Sequence, residues 1–186
     1  DYPYDELCGC GVGFKLVQAL ASKEGKSDED LVEYLDLVAT AIGADIVPIT
    51  GENRTLAYFG LQVINNQPRP GIKAIIHQVK KEELTITDVV FIVAPRINAA
   101  GRMKHGNHAV TLLIETDFNL ALKYAIDIEQ FNSDRKEADK RITHEALLQI
   151  ETNNEQARMT SVVYQDTWHK GVIGIVASRL IETYYR

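Results

Sequence analysis

Asp117 to Asn153 reads DFNLALKYAIDIEQFNSDRKEADKRITHEALLQIETN, a stretch with neither glycine nor proline. Leu120, Tyr124, Ile128, Phe131, Ala138, Ile142 and Ile150 recur along it near the 3.6-residue period of a helix. At a helical rise this predicts a rod of about 50 Å. Such a length exceeds one small domain, so the rod either bridges two domains or breaks near Asn132-Ser133. Its middle, Asp134 to Arg141 (DRKEADKR), is charged on nearly all sides and reads as a solvated connector.

Upstream of the rod the pattern is helical. Residues 11 to 21 (GVGFKLVQALA) place apolar side chains at helical spacing, and the two glycines suggest a close backbone approach. Ser27 and Asp30 stand three apart like a capping box, before Leu31, Leu35, Val38 and Ile42 on one face. Gly43 is expected to end that helix. Ala44 to Gly51 (ADIVPITG) reads as a short extended or looped stretch, followed by a third helix over 52–65 and a short one over 72–79. Thr87 is placed to cap a further helix beginning at Asp88. Ala94 to Gly101 (APRINAAG), with Pro95 and several small residues, reads as a shaped loop or helix junction.

Downstream the pattern changes. Ser161 to Gln165 (SVVYQ) is expected to be a buried strand, the first of an α/β unit, with a helix over 172–184 after it. A boundary therefore falls near residue 117, and both ends of the chain, at Asp1 and at Arg186, read as cut from a longer protein.

The bulk properties narrow the function classes. Hydrophobic residues make up 45% and charged residues 25% of the 186, enough for a buried core and too ordered a pattern for wholesale disorder. The longest apolar runs fall far short of the roughly 20 residues of a membrane span. With no basic-then-apolar leader, a cytoplasmic protein is expected. Cys8 and Cys10, one residue apart beside Gly9, are too close for an ordinary disulfide and lack a second ligand pair for zinc, so they read as reduced, packed thiols. The net charge of −6 argues against adhesion to nucleic acid by bulk positive potential, and any such binding must come from local clusters.

Four stretches carry a specific likeness: Cys8 to Leu16 (CGCGVGFKL), Ala44 to Arg54 (ADIVPITGENR), Ala94 to Arg102 (APRINAAGR) and Trp168 to Arg179 (WHKGVIGIVASR). In this order and rough spacing they resemble the RecJ family of the DHH phosphoesterase superfamily. The resemblance implies an α/β fold. Residues 1–116 would be the C-terminal portion of a DHH-type domain, mostly helical here. Residues 117–154 would be the connector helix, and 155–186 the start of an α/β DHH-associated domain. It further implies a 5′-to-3′ exonuclease of repair and recombination, hydrolysing single-stranded DNA with Mn²⁺ or Mg²⁺.

On the same resemblance Asp45 is a catalytic metal ligand. Hard divalent ions choose carboxylate oxygen, and two ions about 4 Å apart can generate hydroxide and stabilise a leaving oxygen. Asp36, inside the helical pattern, reads instead as a buried or capping residue. Arg102, with Arg96 six residues earlier, is implied to hold the 5′ phosphate end through arginine's planar fork, with Asn98 and Gly101 shaping the turn. The glycine-containing turn into the last helix would offer backbone N–H groups to an anion, making His169, Gly171, Ser178 and Arg179 candidates for contact with the strand. Trp168 could stack on a base, but a lone tryptophan reads first as core or interdomain packing. Arg54 and Lys15 stand as supporting residues: Arg54 could reach a phosphate or tie down the Asp45 loop, and Lys15 reads as solvated.

The departures are as informative. The superfamily site needs an Asp-x-Asp and an Asp-His-His, and neither occurs here; His77, His105, His108, His144 and His169 are all isolated. The chain alone is therefore expected to hold an incomplete metal site and to be inactive. Two rivals stand beside this reading: a superfamily phosphodiesterase acting on short oligonucleotides or cyclic dinucleotides, and a non-catalytic binding protein of the same fold. The long connector and the GVIGIVASR string favour the RecJ branch. Protein partners are unknown from the sequence.

Overall fold

The structure, a computed structural model, describes residues 2–79 and 81–184. Asp1 and Arg186, at which the sequence reads as cut, lie outside the described residues. Helix α1 (Gly9–Lys23) starts at Cys8, whose buried thiol accepts from the Gly11 amide at 3.4 Å; Cys10 is exposed rather than packed, and both thiols are free. Only Gly11 of the two early glycines meets a neighbour, the Leu7 side chain; Gly13 faces open space. The Ser27–Asp30 box forms, with Ser27 N donating to Asp30 Oδ2 at 2.9 Å, but it opens a 3₁₀ segment (Asp28–Tyr34) that then passes into α2 (Leu35–Asp45).

Gly43 does not end α2. It lies where Val89 Cγ1 would stand 2.9 Å from a Cβ, so the missing side chain serves packing rather than termination. Helices α3 (Gly51–Asn66) and α4 (Pro70–Val79) follow where expected. The cap of α5 (Ile86–Asp88) is Thr85, two residues before the expected Thr87: its hydroxyl accepts from Asp88 N, and Asp88 Oδ2 accepts in return from Thr85 N at 2.7 Å.

From α5 the chain runs through one π-helical stretch (Val89–Val93) directly into α6 (Ala94–Met103). The APRINAAG run is thus helical, not a loop. Pro95 sits in the first turn of α6, where a proline removes no interior hydrogen bond, and the widened π turn ahead of it already interrupts the regular ladder. Helix α7 (Asn107–Ile114) leads to α8 (Phe118–Thr152), 35 residues without a break at Asn132-Ser133, capped by Asp117 accepting from Leu120 N at 2.8 Å.

The expected strand at 161–165 does not form, and there is no strand among the described residues. A strand needs a neighbour to complete its ladder. Here a side chain takes that place at Tyr164: Gln149 accepts from Tyr164 N at 3.1 Å and donates to Tyr164 O at 3.0 Å, while Val162 and Tyr164 stay exposed. The last helix, α9 (Lys170–Tyr184), packs on α8 and α6.

Three apolar clusters hold these helices. Phe14, Leu31, Val38, Ile42 and Leu56 join α1, α2 and α3. Ile64, Ile72, Ile75, Val93, Leu112 and Ile128 form the central core, which includes the first half of α8. Ile142 and Ala146 on the second half of α8 meet Val172 and Val176 of α9, with Trp168 against them. The helices approach closely where glycine allows: a Cβ at Gly60 would collide with the Leu35 carbonyl oxygen. Among the described residues no helix is long and apolar enough to cross a membrane.

Candidate functional site

Asp45 is the last residue of α2, and it is exposed. This is the end of a helix where an anionic side chain opposes the backbone dipole. The next residue, Ile46, has φ 53°, a left-handed conformation that a β-branched side chain enters only at a cost of about 1–2 kcal/mol, and it is 78% exposed. A left-handed residue is a common way to end a helix but is usually glycine or asparagine, so Ile46 holds a strained turn directly after the exposed Asp45 carboxylate.

The turn is fixed from two sides. Asn53 of α3, fully buried, donates to Pro48 O at 3.0 Å and to Glu6 O at 2.7 Å, and Tyr4 Oη donates to Thr50 O at 2.8 Å. From α6, Asn98 Nδ2 donates to Ala44 O at 3.3 Å, beside Asp45. Among the described residues no three His, Cys, Asp or Glu side chains are grouped as a metal site. One carboxylate has the right hardness for Mn²⁺ or Mg²⁺, but a single ligand does not hold such an ion, so the residues present do not amount to a metal centre.

The phosphate candidates divide into two groups. Arg102, at the C-terminal turn of α6, donates from Nη1 to Gly171 O at 3.3 Å, and its own carbonyl lies where a Cβ on Gly171 would collide with it. His169 accepts from Gly171 N at 3.1 Å through Nδ1 and so caps the start of α9. Arg102, His169 and Gly171 are thus gathered at one helix N-terminus, and only the glycine lets the two helices meet there. Asn98 lies one turn before Arg102, so the α2 end and the α9 start are tied to points about 6 Å apart along α6. Both Asp45 and Arg102 are exposed.

The other candidates lie elsewhere or are engaged. Arg96 is half-buried, ion-paired with Glu129 at 2.5 Å and donating to Ile92 O at 2.7 Å. Gly101 is inside α6, so it shapes no turn; the helix simply continues through it. Ser178 is two turns into α9, its hydroxyl donating to Gly174 O. Arg179 grips Asp139 with Nε and Nη2 at 2.9 and 2.8 Å, which raises the guanidinium further above its ordinary pKa. Arg54 is exposed on the first turn of α3. Lys15 is not merely solvated, since Glu52 pairs with it at 3.1 Å; Glu52 is held below its usual pKa first by the Tyr2 hydroxyl and then by Lys15.

Two features had no sequence signal strong enough to find them. Asp139, which the sequence places in a solvated run, is 3% exposed because Arg179 and Thr143 bond to it. Arg69 reaches 33 positions back to the buried Asp36, with Nε and Nη2 2.7–2.9 Å from its carboxylate. Asp36 is therefore structural, as its place in the helical pattern suggests. Trp168 packs as expected and donates to Glu145 at 2.6 Å.

No family model matches the chain. It is 37% identical over 187 residues to the single-stranded-DNA-specific exonuclease RecJ of Bacillus subtilis, covering all of this chain and 23% of that protein. RecJ of Dickeya dadantii and of Escherichia coli are each 34% identical, again along all of this chain and 35% of theirs. Among solved structures, an exonuclease RecJ bound to manganese superposes with a TM-score of 0.89 at 31% identity, covering 99% of this chain and 46% of that one. Thermus thermophilus RecJ in complex with Mg²⁺ gives 0.84 at 29% identity over the whole of this chain and 29% of that one. The chain thus resembles RecJ from end to end while spanning about a quarter to a third of the curated relatives' length.

Proposed function

We propose that this chain, similar along its whole length to RecJ, is a section of a RecJ-type exonuclease that hydrolyses single-stranded DNA from its 5′ end with Mn²⁺ or Mg²⁺. The DNA repair and recombination of the cytoplasm are its proposed setting. Residues 1–116 are its share of the DHH domain, 117–154 the connector and 155–186 the start of the DHH-associated domain. Asp45 supplies one metal-ligating carboxylate, the remaining ligands coming from outside this section. Arg102, with the His169–Gly171 start of α9, holds a phosphate near the strand's 5′ end, and Asn98 keeps the two motifs in register. Arg96 and Arg179 support this surface through their ion pairs, Ser178 and Gly101 belong to the same two helices, and Arg54 and Lys15 serve as supports at the α3 start that follows the Asp45 turn.

The observation that carries this reading is the single turn of α6 that bonds the Asp45 end of α2 through Asn98 and the start of α9 through Arg102. A metal held partly by Asp45 would supply activated water and charge neutralisation at the scissile phosphate. The chain's own residues bind and orient: the Arg102 guanidinium holds the phosphate beside the start of α9, so the next bond along is presented to the carboxylate.

In the full-length enzyme, Asp45→Ala is expected to lower kcat at least about a hundredfold with the fold retained, whereas Arg102→Ala raises KM for a 5′-phosphorylated oligonucleotide about tenfold or more. The isolated chain is expected to show no turnover of that substrate. Full activity of Asp45→Ala at unchanged Mn²⁺ dependence would sink the reading.

A further inference from the structure

Three guanidiniums and one carboxylate come together where α6, α8 and α9 meet. Arg102 arrives from α6 and Arg179 from α9, while Arg135 and Asp139 stand four apart on α8 and so share a face. Asp139 gives both carboxylate oxygens to Arg179. Arg135 is left with a neutral partner: Nη2 donates to Asn132 Oδ1 at 3.2 Å, and its Nε is buried without an acceptor. Burial pushes the Arg135 guanidinium below its ordinary pKa; Asp139 opposes this, and the charges of Arg102 and Arg179 add to it. Glu182 of α9 also acts on Arg179, so the charges at the cluster sum to an excess of one positive charge within a chain of net charge −6. A partly buried guanidinium with only a neutral hydrogen-bond partner and two like-charged neighbours is stabilised by a further anion at its open side.

We propose that Arg135 is a second phosphate-holding residue, taking a backbone phosphate of the same DNA strand whose end Arg102 holds. The proposal rests on the phosphate-binding role given to Arg102 above. The place of Arg135 on α8 suits this role, because it follows the central core and precedes the α9 contact and so lies beside the junction that Arg102 spans. An anionic backbone with repeated phosphates can satisfy guanidiniums on different helices along one strand.

The test uses the full-length protein and fluorescently labelled oligo(dT), with affinity measured against salt for wild type, Arg102→Ala, Arg135→Gln and Arg135→Lys. Losing one single-strand phosphate contact reduces the slope of log K against log salt by about 0.7. Arg135→Gln is expected to show that reduction with about tenfold weaker binding at moderate salt and an unchanged melting temperature. Arg135→Lys is expected to restore the slope. An unchanged slope in Arg135→Gln, with or without a lower melting temperature, makes Arg135 a structural residue and overturns the proposal.

If Arg102→Ala weakens binding while Arg135→Gln does not, only this proposal fails. If neither changes, the role of Arg102 fails as well. A second measurement needs no variant: phenylglyoxal modification of Arg135 in the wild type, followed by mass spectrometry, should slow at least about fivefold under saturating oligo(dT). Equal rates with and without the oligonucleotide would also overturn it.

Discussion

Asp36 and Asp45 are nine positions apart on one helix and meet opposite fates. Asp36 is 1% exposed and locked to Arg69, so removing its carboxylate leaves a guanidinium with its main partner gone. Asp36→Ala is expected to cost about 3–5 kcal/mol, read as a lower urea midpoint with unchanged m-value. The helical pattern around Asp36 points to a structural role, but no local rule identifies Arg69, because the pair depends on how α2 meets the start of α4. Asp45 is legible only through its motif. Its unfavourable helix position and the left-handed Ile46 are tertiary facts. Ile46→Gly should relieve that backbone strain and raise stability by up to about 1 kcal/mol, measurable by the same denaturation. A loss of stability instead would mean that Ile46 contributes packing its exposure does not suggest.

Among the elements, the helices with regular apolar spacing and clear punctuation are readable from sequence, and the departures have separable causes. Pro95 has the look of a breaker, yet proline is tolerated in a first turn, and the preceding π stretch offers one inside what would otherwise be a continuous helix. The 161–165 run has the composition of a strand but, among the described residues, no strand to pair with, since pairing is a property of two segments and composition of one. At α5 the cap lies two residues earlier than the sequence suggests, and it gives a pH signature. Lys81, Thr85 Oγ1 and the Thr85 N–H hold the Asp88 carboxyl down at about 2 against an ordinary 3.8. A depressed folded pKa means that the contribution is complete above the unfolded value and disappears as pH falls through the folded one. Stability from this cap should therefore be lost between about pH 4 and pH 2. Asp88→Asn is expected to flatten the urea midpoint over that window relative to wild type, and an identical acid slope in the two proteins would contradict the assignment.

At the scale of the whole molecule, the first half of α8 belongs to the central core and the second half, with α9, forms a cluster of its own. The absence of glycine and proline makes the 35-residue length of α8 readable from sequence, whereas the Asp139–Arg179 clasp is hidden in a charged run. An uninterrupted α-helix is also a phasing device. Its screw fixes the azimuth at which downstream residues leave the axis, as gear teeth fix the angle between two shafts. One alanine added after Lys136 would swing everything beyond it by about 100°. The α9 cluster would survive as a body, but Gly171 would be carried away from Arg102. Footprinting should then show α9 still protected by α8 while Arg102 becomes more reactive, and oligonucleotide affinity should drop about as far as in Arg102→Ala. The length of the rod sets how far apart its two passengers ride; its pitch decides whether they face each other at all.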